Sequence, residues 1–205
     1  MGQRKVKFER RRKSIRLKGW DYRNAGAYFV TICSHNRELI FGNVSDGRMR
    51  LNDWGQIVVR ELKETERKRD NVMLDEFICM PNHVHIIFWL LLDDDEIDVG
   101  VQRAGPIKAQ HAAPQQQDGS DDEFPHVKPK SLGATVRGFK SAVTNRINLL
   151  RDEKYPPVWQ RGYHDRIIRN EAELNAIRAY IRANPENWHE DHEWNEGLNQ
   201  HFIEA

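Results

Sequence analysis

Two histidines, His83 and His85, stand one residue apart in MPNHVHIIF, and the run continues as Trp89, Leu90, Leu91 and Leu92. A β-branched and aromatic stretch of this kind predicts a buried strand. Side chains alternate along a strand, so His83 and His85 share one face while Val84 points the other way. Two imidazoles about 7 Å apart on one sheet face can converge on a metal ion if a third ligand arrives from elsewhere. Taken alone, the pair is also compatible with two histidines that simply open a strand near the surface.

A second set of groups lies in AYIRANPENW, near the end of the chain. Tyr180 and Asn184 are four residues apart and project from the same side of a helix. A tyrosine hydroxyl is a weak nucleophile at neutral pH. It can attack a phosphodiester when a divalent ion polarises the phosphate and stabilises the developing charge. Two histidines and a side-chain amide or carboxylate would hold such an ion and leave positions open for phosphate oxygens. The plainer alternative makes Tyr180 a half-buried residue at the edge of the core and Asn184 an ordinary helix terminator before Pro185. Rival tyrosines exist: Tyr163 adjoins His164 and Asp165, and Tyr155 precedes Pro156 and Pro157.

The elements that must position these groups are legible from periodicity. Ala27–Cys33 (AYFVTIC) predicts a strand, and Arg48–Leu51 a short one after an Asp46-Gly47 turn. Asn52 or Asp53 caps a helix that runs to about Arg69, with Ile57, Val58 and Leu62 on its apolar side. Val72–Met80 and His83–Leu92 form two strands joined at Pro81-Asn82. From Ser131, apolar residues recur at three- and four-residue steps through Leu150, which marks an amphipathic helix whose other face carries Arg137, Lys140 and Arg146. Val158–Ile168 reads as a strand. Asn170 caps a last helix through Leu174, Ile177 and Ile181 that Pro185 stops. Helices among mostly antiparallel strands predict an α+β protein, one sheet with helices packed on a face.

The organisation is one catalytic-type domain over 21–188, with a basic arm before it (1–20) and an acidic tail after it (189–205). Residues 93–130 are rich in Asp, Gln, Pro and Gly and poor in large apolar side chains, which predicts a disordered insertion. Net charge is only +1, but its distribution is uneven. Nine basic residues and one acid fall between Arg4 and Lys18, whereas six acids and no Lys or Arg follow Arg182. A basic arm suggests a polyanionic partner, with the tail as a competitor for the same surface. Cys33 and Cys79 sit in apolar runs and suggest buried thiols in a reducing compartment. There is no apolar signal region and no bilayer-length apolar run, so the expectation is a soluble, cytoplasmic protein without a membrane partner.

MPNHVH, followed by Y-I-x-x-N-P-x-x-W about a hundred residues later, resembles the REP-associated tyrosine transposases, members of the His-hydrophobic-His superfamily of single-strand DNA endonucleases. RRKSIRLKGWDYRNAGAYFVTICSHNRELIFG, FKSAVTNRIN and VWQRGYHDRIIRNEAELN extend the resemblance over nearly the whole chain except the insertion and the tail. The resemblance implies a ferredoxin-like core with an antiparallel sheet. It implies His83 and His85 as metal ligands for Mg²⁺ or Mn²⁺ and Tyr180 as the nucleophile. Asn184 falls where insertion-sequence relatives carry a glutamine ligand, one methylene longer. The implied activity is cleavage and transfer of single-stranded DNA at palindromic, REP-type hairpins through a 5′-phosphotyrosine bond, in a nucleoid-associated monomer or homodimer. Arg10, Arg11, Arg12, Lys13, Arg16 and Lys18 of the arm, with Arg137 and Lys140, are the expected DNA contacts. Trp20 and Tyr22 are candidates for stacking on unpaired bases. The alternative is a hairpin-binding nucleoid or regulatory protein without catalysis.

Overall fold

The computed structural model describes residues 21–91, 129–152, 154 and 156–188. The elements are β1 (Gly26–Cys33), β2 (Gly42–Ser45), β3 (Arg48–Leu51), α1 (Asp53–Arg67), β4 (Val72–Met80), β5 (His83–Leu90), α2 (Leu132–Arg151), β6 (His164–Ile168) and α3 (Glu171–Ala183). The basic arm, the insertion up to residue 128, Tyr155 and the acidic tail lie outside the described residues.

Four strands form one sheet in the order β4-β5-β1-β6, with every neighbouring pair antiparallel. Without the β2–β3 hairpin and α3, the chain runs strand, helix, strand, strand, helix, strand, and its first and third strands lie in the middle. This is the ferredoxin-like arrangement, an α+β fold. Side-chain amides and a hydroxyl cap the helices. Asn52 Oδ1 accepts from Gly55 N (3.0 Å), Ser131 Oγ from Ala134 N (3.2 Å) and Asn170 Oδ1 from Glu173 N (2.8 Å), each satisfying a donor of the first turn.

Strand alternation divides the core between the two sheet faces. Tyr28, Val30, Ile32, Val84, Ile86 and Phe88 point to the face covered by α1 and α2. Phe29, Ile87 and Ile168 point the other way and pack against Leu174, Ile177 and Ile181 of α3. Helices on one face therefore describe α1 and α2, while α3 covers the opposite face. That is the face the histidines share.

Two elements differ from expectation. β2 pairs with β3 through a turn in which Asp46 (φ 53) and Gly47 (φ 66) are both left-handed, the geometry of a tight hairpin. Its GNVS sequence has too little apolar alternation to signal a strand. The strand expected over 158–168 is shorter and begins at His164. Gly162 (φ 86) turns the chain before it, and Trp159 makes only an isolated bridge to Ser34.

Candidate active site

The register of β1 against β5 sets the site. Thr31 lies opposite His85 and Cys33 opposite His83, so Thr31 shares a face with the histidines. His83 and His85 are buried, with ring centroids 4.4 Å apart. α3 crosses this face and sets Tyr180 above them. The Tyr180 hydroxyl lies 3.1 Å from His85 Nε2, and Asn184 Nδ2 donates to the same hydroxyl at 2.9 Å. Phe29 meets the Tyr180 ring edge-on at 6.3 Å, which walls the phenol on its sheet side. Trp188 stacks on His83 at 6.1 Å.

The hydrogen bonds fix the tautomer of His83, and His85 is linked to two hydroxyls, one at each ring nitrogen. His83 Nδ1 lies 2.7 Å from Asn82 Oδ1, which can only accept, so Nδ1 carries the proton and Nε2 the lone pair. Tyr180 accepts from Asn184, and with its own proton directed to His85 Nε2 the imidazole is the Nδ1–H tautomer. His85 Nδ1 then donates to Thr31 Oγ1 at 2.9 Å. Thr31, His85, Tyr180 and Asn184 thus form one chain of hydrogen bonds. Burial lowers the His83 pKa to about 3, with the Arg37 charge acting in the same direction and the Asn184 amide against it. Burial likewise pushes His85 well below its ordinary value, and the neighbouring His83 adds to this. Both rings are neutral at neutral pH, the form in which imidazole binds a cation.

Two orphaned atoms bear on the metal question. His83 Nε2 and Asn184 Oδ1 are both buried and neither has a hydrogen bond of acceptable geometry. The Asn184 amide nevertheless lies close enough to favour the charged form of His83. A lone pair on imidazole and a carbonyl oxygen, both facing away from any proton, suit a shared cation. Among the described residues no three His, Cys, Asp or Glu side chains gather as a metal cluster. Asn184 Oδ1 is the side-chain amide oxygen left without a hydrogen bond beside the two histidines among the described residues.

The other expected residues fall elsewhere. Tyr163 packs against the core on the α1–α2 face, with the sheet between it and the histidines. Arg137 is exposed on α2. Lys140 is half-buried, and its Nζ donates to the carbonyls of Gln160 and Gly162 at 2.7 Å each, which ties α2 to the loop before β6. Arg146 pairs with the buried Glu61 on α1. Tyr22 packs against the core beside Tyr28. Arg10, Arg11, Arg12, Lys13, Arg16, Lys18 and Trp20 lie outside the described residues. Sequence reasoning passed over Thr31 and Asn82. Asn82 adjoins the H-x-H pair and could have been suspected, whereas only the β1–β5 register brings Thr31 to His85.

Fold and site together define a ferredoxin-like α+β protein in which a half-buried Tyr180 meets the buried His83, His85 and Asn184. The chain is 36% identical over 181 residues to a Haemophilus influenzae protein described as uncharacterized, covering 88% of this chain and 91% of that protein. It belongs to the same family as that protein. No family model matches the chain. Among solved structures it is similar to a REP-associated tyrosine transposase bound to a REP hairpin, at a TM-score of 0.47 and 16% identity, covering 80% of this chain and 68% of that one. It is also similar to a structure from Deinococcus radiodurans described as a candidate transposase, at a TM-score of 0.42 and 15% identity, covering 81% of this chain and 94% of that one.

Proposed function

We propose that the protein is a metal-dependent tyrosine transposase that cleaves and transfers single-stranded DNA at palindromic, REP-type hairpins. The observation that carries this reading is the position of the Tyr180 hydroxyl, 3.1 Å from His85 Nε2 and 2.9 Å from Asn184 Nδ2, beside the orphaned His83 Nε2. Tyr180 Oη attacks the phosphorus and forms the phosphotyrosine bond. The bond to the 3′ oxygen breaks, the phenol loses its proton and the departing oxygen ends as a hydroxyl. Attack by a 3′-hydroxyl on the phosphotyrosine then restores Tyr180 and joins the strands. His83, His85 and Asn184 would hold Mg²⁺ or Mn²⁺, which supplies charge stabilisation at the phosphate. The reading is compatible with action as a monomer or as a homodimer. The MPNHVH and Y-I-x-x-N-P-x-x-W motifs support the same family of reactions, and the reading implies work at the nucleoid.

The test is a labelled REP-type single strand incubated with the full chain and Mn²⁺, with and without EDTA. An SDS-resistant adduct that needs the metal and is lost in the double variant His83→Ala/His85→Ala, with hairpin binding retained, is the expected result. Metal-independent cleavage, or full cleavage by the double variant, contradicts the assignment. Hairpin binding without any cleavage favours the catalytically silent alternative.

A further inference from the structure

α3 carries two kinds of side chain on its two flanks. Leu174, Ile177 and Ile181 face the sheet. At about 100° per residue, Tyr180 and Asn184 fall on one side of that stripe, and Arg178 and Arg182 on the other. The arginine flank lies over β4. Arg178 Nε and Nη2 donate to Asp75 Oδ1 and Oδ2 at 2.8 and 2.5 Å, a two-pronged pair. Trp89 Nε1 donates to the same carboxylate at 2.9 Å. One helical turn later, Arg182 Nε donates to Glu76 Oε2 at 2.9 Å.

Asp75 and Glu76 are consecutive, and on a regular strand they would point to opposite faces. Here both reach the same helix. The β4–β5 register explains how: Leu74 pairs with Phe88 but Phe77 with Ile86, so β4 carries one extra residue between them. This is a β-bulge, which breaks the alternation and re-aims side chains.

We propose that the Asp75–Glu76 bulge is a positioning device for Tyr180, acting through Arg178 and Arg182 to fix the rotation of α3 about its own axis. The inference rests on the proposed reading of Tyr180 as nucleophile. A helix seated on an apolar stripe resists lifting more than it resists rolling, because apolar contact is non-directional. Two directed ion pairs on one flank oppose the roll. A roll of about 20° at a radius of about 5–6 Å moves a side-chain end on the far flank by about 2 Å. That is enough to part the Tyr180 hydroxyl from His85 Nε2, and a misplacement of about 1 Å can cost roughly 100-fold in rate.

The experiment compares wild type with Asp75→Asn/Glu76→Gln and with the charge-exchanged pair Glu76→Arg/Arg182→Glu, which lies toward solvent and tolerates reversal better. Three quantities are read on the full chain: adduct rate with Mn²⁺ on a labelled hairpin strand, hairpin affinity, and amide hydrogen exchange in α3. The double amide variant should form adduct roughly tenfold or more slowly, with hairpin affinity within about twofold and faster α3 exchange. Glu76→Arg alone should be slowed and its exchanged partner should recover. Unchanged adduct rate and unchanged exchange in the double amide variant overturn the proposal. If wild type forms no adduct, the transposase reading fails separately. Exchange then decides: faster α3 exchange in the variant supports the clamp, and unchanged exchange removes it.

Discussion

His83 and His85 each commit Nδ1 to an oxygen, Asn82 Oδ1 in one case and Thr31 Oγ1 in the other. That leaves both Nε2 atoms as acceptors on the side where Tyr180 and Asn184 arrive. Second partners of this kind set ring orientation and basicity, and their loss typically costs about 10–100-fold in metal affinity. Thr31→Val keeps the shape and removes the acceptor. Mn²⁺ binding, followed by the quenching of its solution resonance spectrum, should weaken by roughly that factor, whereas Thr31→Ser should bind nearly as wild type. Wild-type Mn²⁺ affinity in Thr31→Val would remove Thr31 from the account. The H-x-H spacing, the tyrosine and the asparagine were legible in the sequence because strand and helix periods place like-facing residues two and four apart. Thr31 was not, because its role depends on the register between strands 54 residues apart, which no local pattern encodes.

At the scale of elements, periodicity located the three α-helices among the described residues and the long strands, and the caps Asn52, Ser131 and Asn170 stand where side-chain acceptors were available. What the pattern could not give was the face on which α3 lies. Its stripe is satisfied by either face, and the outcome depends on Phe29, Ile87 and Ile168 being left uncovered by α1 and α2. The bulge was equally hidden, since an extra residue is visible only against its partner strand. Its electrostatics make a pH prediction. Burial would raise the Asp75 carboxyl, but bonds from Arg178 and Trp89 outweigh it and the pKa falls below its ordinary 3.8. At Asp75 the folded protein therefore binds fewer protons than the unfolded chain. The stabilisation is complete above about pH 3.8 and is lost as pH falls through the lower folded value. Asp75→Asn should cost about 1–3 kcal/mol near neutral pH by urea unfolding, and the gap from wild type should close in acid. A gap that stays constant with pH would contradict this.

For the whole molecule, the sheet separates two surfaces. One carries the Tyr180 site under α3, and the other carries α1 and α2 with Arg137. No helix among the described residues is long and apolar enough to cross a membrane. The arm from Arg4 to Lys18 holds the densest positive charge in the chain. If it neutralises phosphates, each contact contributes to the salt dependence of binding. Removing residues 1–18 should weaken hairpin binding and flatten its log–log salt slope, measured by fluorescence anisotropy, while an unchanged slope assigns the phosphate contacts elsewhere. The central claim is the nucleophile, and the most direct measurement is the identity of the residue bonded to DNA. The adduct formed with Mn²⁺ on a hairpin strand is digested with nuclease and protease, and the modified peptide is sequenced by mass spectrometry. The account predicts a phosphonucleotide on Tyr180 and none in Tyr180→Phe, with Tyr163→Phe still forming adduct; a linkage at Tyr163 or Tyr155 would contradict it.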